Sequence, residues 1–239
     1  DLSITRKNIV NNNLLDPGTK DTTITTTFNN FNELQTGVRL GGPIIQDKLF
    51  FFANAEFTSR VQPVDNISLI QNSRAKQIDS IAQLVSSHLT SKYGYNAGQL
   101  TGFEITRPST KVFARLDWNI DENNRLTFRN NYVSAYDDNY STTVTSARFS
   151  DRNYRFNNSQ NSTVLELNSS LGEDMHNELI VGYTRIRDFR EVTGKPFSAI
   201  TVNDPSMGSG VGVQFGSEEF SNFNKLDQDV IEITNNFTM

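Results

Sequence analysis

Gly37-Val-Arg-Leu-Gly-Gly-Pro-Ile-Ile-Gln-Asp-Lys-Leu-Phe-Phe-Phe-Ala-Asn-Ala-Glu-Phe57 decides how this chain folds. Two strand-like runs flank a tight turn at Gly42-Pro43, and the second run opens on three consecutive aromatics, Phe50 to Phe52, before apolar and polar residues alternate. A soluble sheet rarely places so much aromatic surface on one hairpin. A transmembrane β-barrel does, because one face of each strand meets lipid and rings gather near the water interfaces. The expectation is an all-β fold: an antiparallel up-and-down transmembrane β-barrel segment of about eight strands with long external loops, one containing a short helix.

The same alternation recurs along the chain. Val112, Ala114, Leu116, Trp118 and Ile120 form one apolar row against Arg115, Asp117 and Asn119, with Phe113 as the exception. Leu126, Phe128 and Tyr132 repeat it against Arg125, Thr127 and Arg129; Leu165 and Leu167 against Glu166 and Asn168. Leu179, Val181 and Tyr183 follow, then Ile231, Ile233 and Phe237. An outermost run near 2–10 and another near 224–239 would be edge strands. Short connections near 43–47, 121–124 and 172–175 alternate with long ones over 10–33, 61–108, 138–158 and 191–223. That is the outer-membrane layout of short periplasmic turns and long outer loops. For the 121–124 turn, opposing Asp117 to Arg129 favours a five-residue turn, since three would set Arg115 against Arg129.

Composition narrows the function. In 239 residues, hydrophobic content is 36% and charged content 21%. The longest apolar run, 49–53, is far short of the ~20 residues a helical span needs. A net charge of −5 gives no footprint for nucleic acid. With no cysteine there is no thiolate or Cys-ligated metal chemistry. His88 and His176 fall at opposite ends of the layout, so they share no metal or catalytic centre. Neither a catalytic residue, a metal site nor a cofactor is expected, and the chain reads as no enzyme. Asp137 and Asp138, between Tyr136 and Tyr140, are the candidate external ligand loop. Asn72 or Ser73 caps a helix with apolar positions Ile78, Ile81, Ala82, Val85 and Leu89, ended by Gly94.

Two sets of wall residues follow from the alternation. Glu56, Arg115, Asp117, Arg125, Arg129 and Glu166 form a lumen-facing polar wall, which either lines a channel, holds a plug, or satisfies its own charges by mutual pairing. Phe51, Phe57, Trp118, Phe128, Tyr132 and Tyr183 form the lipid-facing aromatic belt.

Phe31-Asn-Glu-Leu-Gln-Thr-Gly-Val-Arg-Leu-Gly-Gly-Pro-Ile-Ile-Gln-Asp-Lys-Leu-Phe-Phe-Phe52 resembles the early barrel of TonB-dependent outer-membrane receptors, the Oar-like subgroup above all. Tyr93-Gly-Tyr95, Lys111-Val-Phe-Ala-Arg-Leu-Asp-Trp-Asn-Ile120 and Arg125-Leu-Thr-Phe-Arg-Asn-Asn-Tyr132 are similar to the same subgroup, and the resemblance spans most of 31–135. It implies a Gram-negative, Bacteroidetes-like outer-membrane receptor that binds a scarce external ligand and passes it to the periplasm. Implied partners are outer-membrane lipid, the receptor's own plug domain and remaining barrel strands, TonB through the parent chain, and a surface lipoprotein or a peptide or glycan ligand. Residues 1–239 are then expected to be part of a larger barrel, without plug or remaining strands. Two rivals are a secreted or cell-surface β-domain adhesin, separable by detergent dependence, and an outer-membrane hydrolase, which the histidine placement argues against.

Overall fold

The computed structural model describes residues 10–11, 25–26, 31–64, 73–140, 146–203 and 212–239. A two-residue ladder pairs β1 (Val10–Asn11) with β2 (Thr25–Thr26). The alternating runs then become β3 (Asn32–Ile45), β4 (Leu49–Val64), β5 (Phe103–Asn119) and β6 (Asn124–Asn139). After a short β7 (Ser146–Arg148) come β8 (Tyr154–Ser170) and β9 (His176–Val192). Two four-residue strands, β10 (Ile200–Asn203) and β11 (Gly212–Phe215), precede β12 (Lys225–Thr238). Seven of these make one antiparallel sheet in the order β12-β9-β8-β6-β5-β4-β3, a meander that follows the chain. The expected strand near 2–10 lies outside the described residues except for Val10.

Strands of 14–17 residues run further than the alternation predicts, so β4 reaches Val64 and β5 starts at Phe103. The first hairpin turns at 46–48 rather than at Gly42-Pro43, with Lys48 N donating to Ile45 O and Asp47 in the left-handed region at φ 58°. Pro43 stays inside β3, whose outer edge has no partner among the described residues and so needs no ladder donor there; a bulge between Pro43 and Ile45 absorbs the irregularity.

The 121–124 turn corrects the expected register. Arg115 does sit opposite Arg129, and Asp117 opposite Thr127. Asp121 Oδ1 accepts the Asn123 and Asn124 N–H groups at 2.8 Å each, and Ile120 N bonds Asn124 O, so three residues close the turn. Local turn chemistry wins because the two arginines are neutralised elsewhere: Arg115 by Asp117 on its own strand, Arg129 by Glu166 on β8.

The helix α1 (Ser73–Tyr93) ends as expected, at Gly94 in the left-handed region (φ 60°), where Tyr95 N bonds back to Leu89 O. The Asn72 cap lies outside the described residues. The stripe of α1 packs on other loops: Ile78, Ala82 and Leu89 join Tyr95, Ala97, Ala147, Phe149, Val213 and Phe215 in one buried cluster. A second sheet of order β10-β11-β7 completes this cap.

Candidate functional site

One face of the main sheet is apolar across its whole width. Register lines up Gly42, Phe51, Leu116, Phe128, Leu165, Val181 and Ile233 in a single row over seven strands. The next row towards the short turns reads Ile45, Leu49, Trp118, Leu126, Leu167 and Leu179. Phe51, Phe57, Trp118, Phe128, Tyr132 and Tyr183 all share this face, since each is register-paired with, or an even number of residues from, a member of these rows. Trp118 lies at the short-turn margin, and Phe57, Tyr132 and Tyr183 towards the long-loop side. Leu116, Leu165 and Val181 are each about two-fifths exposed. A water-soluble monomer rarely leaves so wide an apolar surface open.

The apolar stretch is shorter than the strands. From Leu49 to Phe57 is about 26 Å at ~3.3 Å per residue. Outer-membrane barrels carry an apolar band of ~25 Å. Beyond it the same face turns polar, with Arg187 bonding Asp229 at 2.7 Å and Arg155 bonding Asp138 at 2.7 Å. The polar residues within the band satisfy one another: Asn130 Nδ2 donates to Asn161 Oδ1 and Thr163 Oγ1, both at 2.8 Å.

The opposite face gathers Glu56, Arg115, Asp117, Arg125, Arg129 and Glu166, and each is ion-paired. Asp117 is the hub. It accepts two bonds from Arg115 (2.7 and 2.9 Å), one from Arg125 (2.8 Å) and one from the buried Thr127 hydroxyl (2.9 Å). Arg129 pairs with Glu166 at 3.3 Å, and Lys111 with Glu56 at 2.7 Å. Sequence reading missed Lys111, which alternation alone places on this face, and put Thr127 there without a role. Phe113, the exception in its row, packs with Phe52 at 6.0 Å between ring centres. Asp117→Ala is expected to cost about 2 kcal/mol, because two arginines lose their shared acceptor and charged hydrogen bonds net ~1.5–3 kcal/mol. Urea unfolding of the purified protein measures it.

Asp137 and Asp138 are the last acidic pair of β6 rather than a free loop. Successive side chains point to opposite faces, and both are engaged, Asp137 by Arg107 and Asp138 by Arg155 and Thr106. They do not converge on one cation. His88 lies exposed on α1 and His176 at the short-turn start of β9, as the layout predicted.

The cap is knotted by Asp151, buried in a 3-10 turn at 150–152. Its Oδ2 accepts the Tyr95 hydroxyl and the Gly216 N–H (2.8 Å), and its own N–H donates to Ala97 O at 3.1 Å, so three loops meet on one residue. Gly216 sits at φ 92°, where a Cβ would lie 2.0 Å from Ser198 O, so only glycine delivers that N–H. Burial pushes the Asp151 carboxyl above its ordinary range, against the Tyr95 and Gly216 bonds that lower it. A raised folded-state value means that its contribution is complete below the unfolded value of 3.8 and is lost as pH rises through the folded one. The cap is therefore expected to melt at lower temperature at about pH 7 than at about pH 4, and Asp151→Asn to flatten that difference. Thermal melts of the cap at the two pH values test this.

No protein-family model and no curated protein matches the sequence. Among solved structures, the outer membrane transporter YddB from Escherichia coli matches with a TM-score of 0.52 at 12% identity, over 90% of this chain and 24% of that one. The fold shared with it is an antiparallel, up-and-down barrel wall. The chain spans about a quarter of that transporter's length. The first row runs from β3 to β12 and the second from β3 to β9, and the cap stands at the end where the long connections emerge.

Proposed function

We propose that this chain is a wall segment, with external loops, of a larger TonB-dependent, Oar-like outer-membrane receptor. Its work is binding and gated passage of an external ligand, without bond chemistry. The observation that carries the reading is the unbroken apolar row from Phe51 through Leu116, Phe128, Leu165 and Val181 to Ile233, backed by an opposite face whose Glu56, Arg115, Asp117, Arg125, Arg129 and Glu166 are all ion-paired. On this reading the six aromatics meet lipid and the six charged residues line the lumen, where they hold water or the plug. The YddB-like fold supports an outer-membrane location. TonB engagement and the plug belong to the parent chain.

Spin labels at Leu116, Leu165 and Val181 of the intact protein in its outer membrane are expected to report hydrocarbon, and labels at Arg129 and Glu166 water. Water-like signals at the first three would reject the reading. Both outer strands, β3 and β12, have an unpaired edge among the described residues. Lipid cannot satisfy such edges, so residues 1–239 alone are expected to form no sealed pore in planar bilayers and to need detergent in solution. A monodisperse, detergent-free product would point instead to a surface adhesin.

A further inference from the structure

Where the cap meets the outer end of the wall lies a cavity of about 580 Å3. It is enclosed by the turn after α1, the start of β5, the 3-10 turn with the first residues of β8, and the chain that leaves β9 at Thr193. That is the size of a small-molecule site. Asp151 and Asn153 both line it and are 4% and 7% exposed. Each keeps one buried side-chain oxygen, Oδ1, without a hydrogen-bond partner. Buried acceptors are normally satisfied, so two beside one cavity call for a donor.

Charge selects the donor. Asp151 has no ion pair among the described residues, and its neighbour Arg152 goes instead to Glu219 and to Phe215 O. Burial works against the Asp151 carboxylate, and a cation brought alongside removes that cost. Glu104, also on the cavity, makes no ion pair among the described residues, whereas Asp138 is taken by Arg155 and Thr106. Lys195 lines the cavity too, but it is exposed and pairs with neither free acid. Two aromatic rings complete the lining and are held by neighbours, Tyr95 stacked on Phe197 at 3.9 Å and Phe103 edge-on to Tyr140 at 4.9 Å. Aromatic faces attract cations. A metal ion fits less well, since no three His, Cys, Asp or Glu side chains among the described residues are grouped to hold one.

We infer that this cavity binds a small organic amine, whose ammonium donates to Asp151 Oδ1 while a second donor of the same molecule reaches Asn153 Oδ1. The Tyr95 hydroxyl and the Gly216 N–H already fix Oδ2, leaving Oδ1 for the ligand. Three loops meet on that carboxylate, so a bound amine also tightens the cap.

The test is calorimetric titration of putrescine, butanediol and calcium chloride into the intact protein, with thermal melts of the cap alongside. Putrescine is expected to bind and to raise the melting temperature of the cap, and butanediol and calcium to do neither. Asp151→Asn keeps an acceptor oxygen for Tyr95 and Gly216 and should weaken putrescine at least about tenfold, because the ammonium loses its charged partner. Asn153→Ala, whose backbone O still accepts from Thr193, should weaken it about fivefold and keeps the test decisive if Asp151→Asn fails to close its cap. Glu166→Gln, in the wall, should change nothing. Absence of putrescine binding, equal binding of butanediol, a response to calcium alone, or undiminished binding in both cap variants would overturn the inference. The site needs only the cap and the strand ends, so it stands apart from the lipid-facing wall. Hydrocarbon signals at Leu165 without putrescine binding sink the amine site alone, whereas water signals there sink the wall and leave the site.

Discussion

Leu165→Arg is expected, on the proposed lipid-facing wall, to lower the stability of the protein in bilayers by about 2–4 kcal/mol, the cost of an arginine at mid-depth on a barrel's lipid face. Leu165 stands between Phe128 and Val181 in the central apolar row and has no charged partner in register. The shift in the urea unfolding midpoint in bilayers measures the effect. Its neighbour supplies the control. Glu166 points the other way, to Arg129 and Asn168, so Glu166→Gln keeps one acceptor oxygen on the polar face, puts nothing on the apolar one, and should leave membrane assembly intact. Equal tolerance of both changes would mean that no lipid touches this row.

Phe215→Ala should open the cap while sparing the main sheet. Phe215 is 4% exposed, and its ring lies 6.4 Å from that of Phe197 within the cluster that also buries Ile78, Ala82 and Leu89 of α1. Removing a buried phenylalanine costs about 3–5 kcal/mol. Hydrogen exchange is expected to show α1 losing protection while β5, β6 and β8 retain theirs. Phe220→Ala, at a ring 72% exposed, should change neither. Loss of protection throughout the sheet would show that cap and wall unfold as one unit.

The wall was legible because alternation is a local property: once a strand forms, residue parity alone assigns each side chain to a face. That is why the six aromatics and the six charged residues separate cleanly. Turn register was not legible in the same way. Opposing Asp117 to Arg129 looked electrostatically favourable, but the Asp121 side chain fixes a three-residue turn, and the arginines find acids along their own strand and on β8. Asp137 and Asp138 misled for a related reason. A pair of acids beside tyrosines reads as a loop, yet β6 continues through them because Arg107 and Arg155 neutralise one on each face.

By itself the sequence determined the class of fold, the order of the strands, which residues share each face, and the extent and end of the loop helix. Period-two and helical spacings carry that information without reference to distant chain. Tertiary structure alone decided the pairing at each turn, the knot at Asp151 and the facing of Arg60 and Arg107. These depend on residues far apart in sequence, such as Tyr95 with Asp151 and Gly216, or Arg60 with Arg107, which become neighbours only when the sheet sets their strands and loops side by side.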